Sequence, residues 1–78
     1  MEQTKFEAML VLIVPKVIGL ISKETGLDEM TATSNFYASK VYSLLEQEDT
    51  KLWHLSPLML YHMYDEERKT GNITFPEG

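Results

Sequence analysis

The stretch from Asp49 to Gly71, DTKLWHLSPLMLYHMYDEERKTG, constrains this chain more than any other. Ser56 can accept a hydrogen bond from an otherwise unpaired amide of a first helical turn. Pro57 follows at the first helical position, where its missing N–H costs nothing and its fixed φ already suits a helix. Arg68 and Lys69 fall where cations complement the negative end of a helix dipole. Gly71 then suits a left-handed terminator. Start, stop and charge together predict a helix over about 57–70. Its first turns are apolar on nearly every side (Leu58, Met59, Leu60, Tyr61, Met63 and Tyr64). A helix of that kind needs more than one neighbour, so the remaining elements are expected to pack around it.

The N-terminal segment supplies the first of them. Phe6, Met9, Leu10, Ile13, Val17, Leu20 and Ile21 recur at steps of three and four, one continuous helical stripe. Thr4 is a candidate cap with Glu7 as its capping-box partner. Helix is expected over about 4–25, ending at Gly26, with Pro15 imposing a kink or dividing it into two shorter helices. A buried strand over Met9–Val14 is the rival reading. Val11, Leu12, Val14 and Ile18 lie off the stripe, which implies cover on more than one side. The apolar run has Glu2 and Glu7 before it where a signal peptide would carry positive charge. It is also interrupted by Lys16 and falls short of the ~20 apolar residues that span a bilayer.

A second helix is expected over about 28–47, with Asp28 as its cap and Leu27 as a hydrophobic staple. Met30, Ser34, Tyr37, Val41, Leu44 and Leu45 form a narrow stripe, with small Ala38 beside it. The polar run Thr31–Asn35 weakens helix propensity and allows a break near Asn35 or Ser39. Phe36 and Tyr42 lie off that stripe, at the rim or facing a partner. The connection that follows is too apolar to hang in solvent, so Leu52, Trp53 and Leu55 are expected to plug the core over 50–55. The tail, 72–78, carries Ile73 and Phe75 and reads as a short extended segment over the core or a loose end.

These elements make one all-α domain over 1–78, a bundle of three to four helices. Chemistry is harder to place. There is no cysteine, which excludes disulfides, thiolate metal sites and cysteine nucleophiles. Seven basic against twelve acidic residues give a net charge of −5, a poor footprint for nucleic acid and unsuited to anionic membrane surfaces. Neither candidate helix has the basic face of a DNA-recognition helix. No phosphate loop, nucleophile elbow or zincin motif is present, and the carboxylates cluster at helix ends and in the connection. The chain is therefore read as a non-enzyme with no cofactor, in the cytoplasm. His62, Asp65 and Glu66, at i, i+3 and i+4, share one helix face and form a candidate metal site. His54 is read as a structural side chain bonded to a nearby carbonyl.

What remains is surplus apolar surface. Five methionines, four tyrosines and one tryptophan are many for 78 residues, and aromatics and Met are enriched in interface cores. A partner-facing surface is expected at Leu12, Phe36, Tyr42, Met59 and Tyr61, the partner being a second copy, another protein, or both.

The run from Phe36 to Glu77 resembles a family of short bacterial helical proteins of Firmicutes type. The most distinctive pieces are SKVY (Ser39–Tyr42), KLWHLSP (Lys51–Pro57) and ITFPE (Ile73–Glu77), and the likeness extends to IVPK (Ile13–Lys16). The resemblance implies an operon companion of toxin-type genes with a binding or neutralising, antitoxin-like role. It implies no catalytic residues.

Overall fold

The computed structural model describes residues 3–73, which form four helices and, among these residues, no strand. They are α1 (Gln3–Thr25), α2 (Glu29–Tyr37), α3 (Lys40–Leu45) and α4 (Pro57–Thr70). Two 3₁₀ turns, Glu48–Thr50 and Leu52–His54, join α3 to α4. The long α1 packs chiefly against α4 and α2, and α3 packs against α4. The protein is all-α, as its patterning predicts. No helix among the described residues is long and apolar enough to cross a membrane.

Helix α4 begins and ends where its caps dictate. Ser56 Oγ accepts from the Met59 amide at 3.2 Å, and Pro57 occupies the first turn. Gly71 closes the helix at φ 81°, its amide donating to the Glu67 carbonyl at 2.7 Å. A Cβ is strained at that φ, which is why glycine is favoured there. Helix α1 ends in the same manner at Gly26, φ 77°. Its start differs from expectation: Thr4 lies inside the helix, and Glu7 accepts from the Gln3 side chain at 3.2 Å.

Pro15 does not divide α1, which continues unbroken from Gln3 to Thr25. The ring removes the amide that would serve the Val11 carbonyl. Both Pro15 and Val11 are exposed, so water can serve that carbonyl instead. The buried residues of α1 are Phe6, Val14, Val17, Ile18 and Ile21, with Leu10 and Ile13 half-buried. The core-facing arc is thus turned toward Val14 and Ile18, because α2 and α4 flank the helix on two sides.

The expected second helix is two, divided at Ser39, one of the two places where its sequence allowed a break. Asp28 caps α2 as predicted, accepting from the Thr31 amide at 3.4 Å and from its hydroxyl at 2.5 Å. Leu27, the expected staple, is 36% exposed. The chain then breaks at Ala38–Ser39. Buried Ser39 donates to the Phe36 carbonyl at 2.5 Å and accepts from the Tyr42 amide at 3.1 Å, ending one helix and capping the next. The start of α3 gains a second cap from far along the chain. The Glu67 carboxylate accepts from the Lys40 amide at 2.9 Å and the Val41 amide at 3.1 Å.

This break resets the helical phase. In one continuous helix Ala32 and Phe36 would lie on a different face from Val41 and Leu45. With the break, all four are fully buried. The stripe predicted for the first half is correspondingly wrong: Met30 is 79% exposed and Tyr37 51% exposed. Phe36 stands at the centre of the core, edge-on to Tyr42 at 5.6 Å and to Tyr64 at 5.9 Å. Val17, Ile21, Leu45 and Leu60 are buried in the same cluster.

The plug is formed as expected. Leu52 is buried, and Trp53 and Leu55 pack on the core. Trp53 Nε1 donates to the Glu48 carbonyl at 2.9 Å. Thr50 donates to the Leu44 and Gln47 carbonyls, each at 2.8 Å, and so terminates α3. Lys51 turns the chain in the left-handed region at φ 59°. His54 Nδ1 is bonded to the Lys51 carbonyl, a local structural role, as expected of it. Ile73 of the tail packs on the core; Phe75 lies outside the described residues.

Candidate functional site

Exposed apolar side chains concentrate where α1 meets α2. Val11, 71% exposed, and Pro15 form the α1 wall of an open groove of about 380 Å³; Glu29, Thr33 and Tyr37 form the α2 wall. Leu10, Val14, Ile18 and Tyr42 complete the lining. The walls follow from helix spacing. Val11, Pro15 and Ile18 lie at i, i+4 and i+7 on α1, while Glu29, Thr33 and Tyr37 lie at i, i+4 and i+8 on α2. A second depression, of about 430 Å³, shares Glu29 and Thr33 and extends across α2 to Met30 and Ser34.

The aromatic end of the groove is rigidly built. Tyr37 stacks on Tyr42 with ring centres 4.6 Å apart and planes inclined by 23°. Tyr42 in turn rests on Phe36, so the groove's exposed tyrosine is tied to the core through two rings. Burial pushes the Tyr42 hydroxyl pKa up, and the charges of Glu46 and Tyr37 add to the shift. Tyr42 is therefore a neutral hydrogen-bonding group at any physiological pH.

Of the five residues expected to face a partner, only Tyr42 lines this groove. Leu12 is 65% exposed on α1 but does not line it. Met59 is 38% exposed and sits beside Leu58, 53% exposed, at the start of α4, a separate apolar patch. Tyr61 is half-buried and packs on the core. Phe36 is a correction: it is fully buried. It was placed on the surface by treating 28–47 as one helix, and the break at Ser39 turns it inward. The same error concealed Met30 and Tyr37, which the assumed stripe put in the core. The signal that could have found them is Ser39 itself, a good N-cap in mid-pattern.

The metal candidate does not assemble. Among the described residues no group of three His, Cys, Asp or Glu side chains could hold a metal ion, His62, Asp65 and Glu66 included. The Asp65 carboxylate is turned toward the basic last turn, 2.7 Å from Arg68 Nη2 and 3.0 Å from Lys69 Nζ. Hydrogen bonds from Arg68 and then Lys69 hold its pKa below the usual aspartate value. A carboxylate so engaged is a helix-end ion pair.

Comparison with known proteins returns no match: no family model, no curated protein and no solved structure is significantly similar to this chain.

Proposed function

We propose that this chain is a small protein–protein interaction module, a subunit of an oligomer or hetero-complex in the cytoplasm. The carrying observation is the open apolar groove between α1 and α2, with Val11, Pro15 and Tyr37 on its walls and Met30 beyond its edge. Aromatic and Met side chains of this kind are enriched at the centres of interfaces. Methionine adapts to irregular partner surfaces, and a rigid tyrosine offers large contact area at low entropic cost. The reading assigns the chain no reaction, metal or cofactor. Its sharper form is an antitoxin-like or accessory companion of a neighbouring gene's product, supported by the resemblance of SKVY, KLWHLSP and ITFPE to that bacterial family.

The test compares the tagged wild-type chain with Val11→Lys and Tyr37→Lys, captured from the cells it comes from and analysed by sedimentation velocity. Both side chains are exposed, so helical circular dichroism should be retained. The expected result is a stoichiometric complex or oligomer with the wild-type chain that the groove variants lose. A wild-type chain that returns alone and sediments as a monomer would sink the reading.

A further inference from the structure

The acids around the groove and the cations of α1 are segregated. Glu7 lies one turn before Val11 on the same face of α1, the steps Glu7, Val11, Val14 and Ile18 being four, three and four. Glu29 lines the opposite wall. It opens α2 with only residues 26–28 between it and the end of α1, which puts it toward the C-terminal, Ile18 end of the α1 wall. Glu46 lies near enough to Tyr42 to add to the upward shift of its hydroxyl. No lysine or arginine lines the groove. The three lysines of α1 (Lys5, Lys16 and Lys23) are spaced by eleven and seven residues, three turns and two, which puts them together on the arc away from it. The groove is an apolar trough with an acid toward each end.

From this placement we propose that the groove docks an amphipathic helix of a partner protein, one whose apolar ridge is flanked at both ends by basic side chains. The proposal rests on the interaction-module reading and gives that module's partner a chemistry. Along α1 the lining runs from Leu10 to Ile18, about 12 Å at the helical rise, so the ridge is two to three turns long. Residues at i, i+3 or i+4, and i+7 fill the trough, the usual pattern of a helix in a groove. Lysine or arginine one turn beyond each end of the ridge reaches Glu7 and Glu29. A second copy of the chain is the poorer occupant. Its net charge is −5, and a two-fold axis through the groove brings acidic rims together, where like charges oppose association.

The experiment uses two synthetic amidated peptides of roughly four turns, with the same leucine ridge and either lysine or glutamate flanks. Each is titrated into the isotope-labelled full chain and followed by amide chemical shifts. The lysine-flanked peptide should move the amides of Val11, Thr33 and Tyr37. It should bind about tenfold more tightly than its glutamate counterpart at low salt. Glu7→Gln combined with Glu29→Gln, both exposed positions, should shrink that preference to about twofold, and added salt should shrink it as well. Equal binding of both peptides in the groove overturns the basic partner and leaves the interaction-module reading standing. Shifts confined to the Leu58–Met59 patch, no shift from either peptide, or a groove already closed by a second copy overturns the groove as the docking site. The capture experiment then judges the module reading independently.

Discussion

Helix α4 and the α2–α3 segment carry comparable apolar content, yet they fold under different kinds of instruction. The ends of α4 are encoded locally, by Ser56 and Pro57 at the start and Gly71 at the stop. The segment from Asp28 to Leu45 has a local start at Asp28, but its centre depends on Ser39 below and Glu67 above. Glu67 comes from 26 residues further along the chain than Val41. Local capping yields a helix whose faces follow from sequence spacing. Capping supplied partly by a distant residue yields a break, and the faces on its two sides then follow separate phases.

The sharpest way to break this comparison is at the adjacent pair Phe36 and Tyr37. Phe36→Ala should cost about 3–5 kcal/mol, enough to unfold most of a chain this small, whereas Tyr37→Ala should cost about 1 kcal/mol or less. Chemical denaturation measures both. The reverse order, with Tyr37→Ala the costlier, would mean that the segment is one continuous helix after all. Next in size, Glu67→Ala leaves two helix-start amides without their carboxylate and should cost about 1–3 kcal/mol, with Glu67→Gln recovering part of it. Loss of helical signal should fall on α3 and spare α4 in residue-resolved amide shifts.

A smaller effect separates the two serine caps. Ser56→Ala should cost about 1 kcal/mol, the usual value for a lost N-cap. Ser39→Ala should exceed it, because the buried hydroxyl also serves the Phe36 carbonyl. The smallest effect concerns pH. Asp65 has its pKa lowered by Arg68 and Lys69 in the folded chain. A group lowered on folding binds its proton less readily in the native state, so its stabilisation is present above the unfolded value of about 3.9 and is lost as pH falls through the folded value. Asp65→Asn should therefore lower stability slightly at neutral pH, flatten the acid limb by the same small amount, and match the wild-type chain once pH falls below the folded value, as thermal unfolding from neutral to acidic pH would show.

The legible parts of the fold are those written in consecutive residues. Asp28, Ser56, Pro57, Gly26 and Gly71 all sit where their chemistry predicts, and the apolar plug of Leu52, Trp53 and Leu55 packs inward because its residues have nowhere else to go. What was not legible depends on pairs distant in sequence. Ser39 marks a place where a break is allowed, but nothing near it says that Glu67 will cap the helix beginning there and so favour the break over a continuous helix. The candidate site inherits the error directly: a wrong phase moves Phe36 out, moves Met30 and Tyr37 in, and hides the wall of the groove. On α1 the off-stripe residues implied cover on a second side, which Val14 and Ile18 receive; that Val11 stays exposed, and pairs with α2 as a groove wall, was not legible. The face of His62, Asp65 and Glu66 illustrates the opposite limit. Spacing places three ligands on one side of a helix, and a nearby Arg68 and Lys69 claim one of them.

The Glu67 cap also decides when α3 can exist. Six residues are too few for a helix to persist by itself, and the carboxylate at its start arrives only once α4 has docked. In an emerging polypeptide the Lys40 and Val41 amides therefore wait for a residue still to be synthesised. In the finished protein their hydrogens should exchange with solvent only when the α4 contact opens, making those two amides a built-in reporter of whether the C-terminal helix is seated.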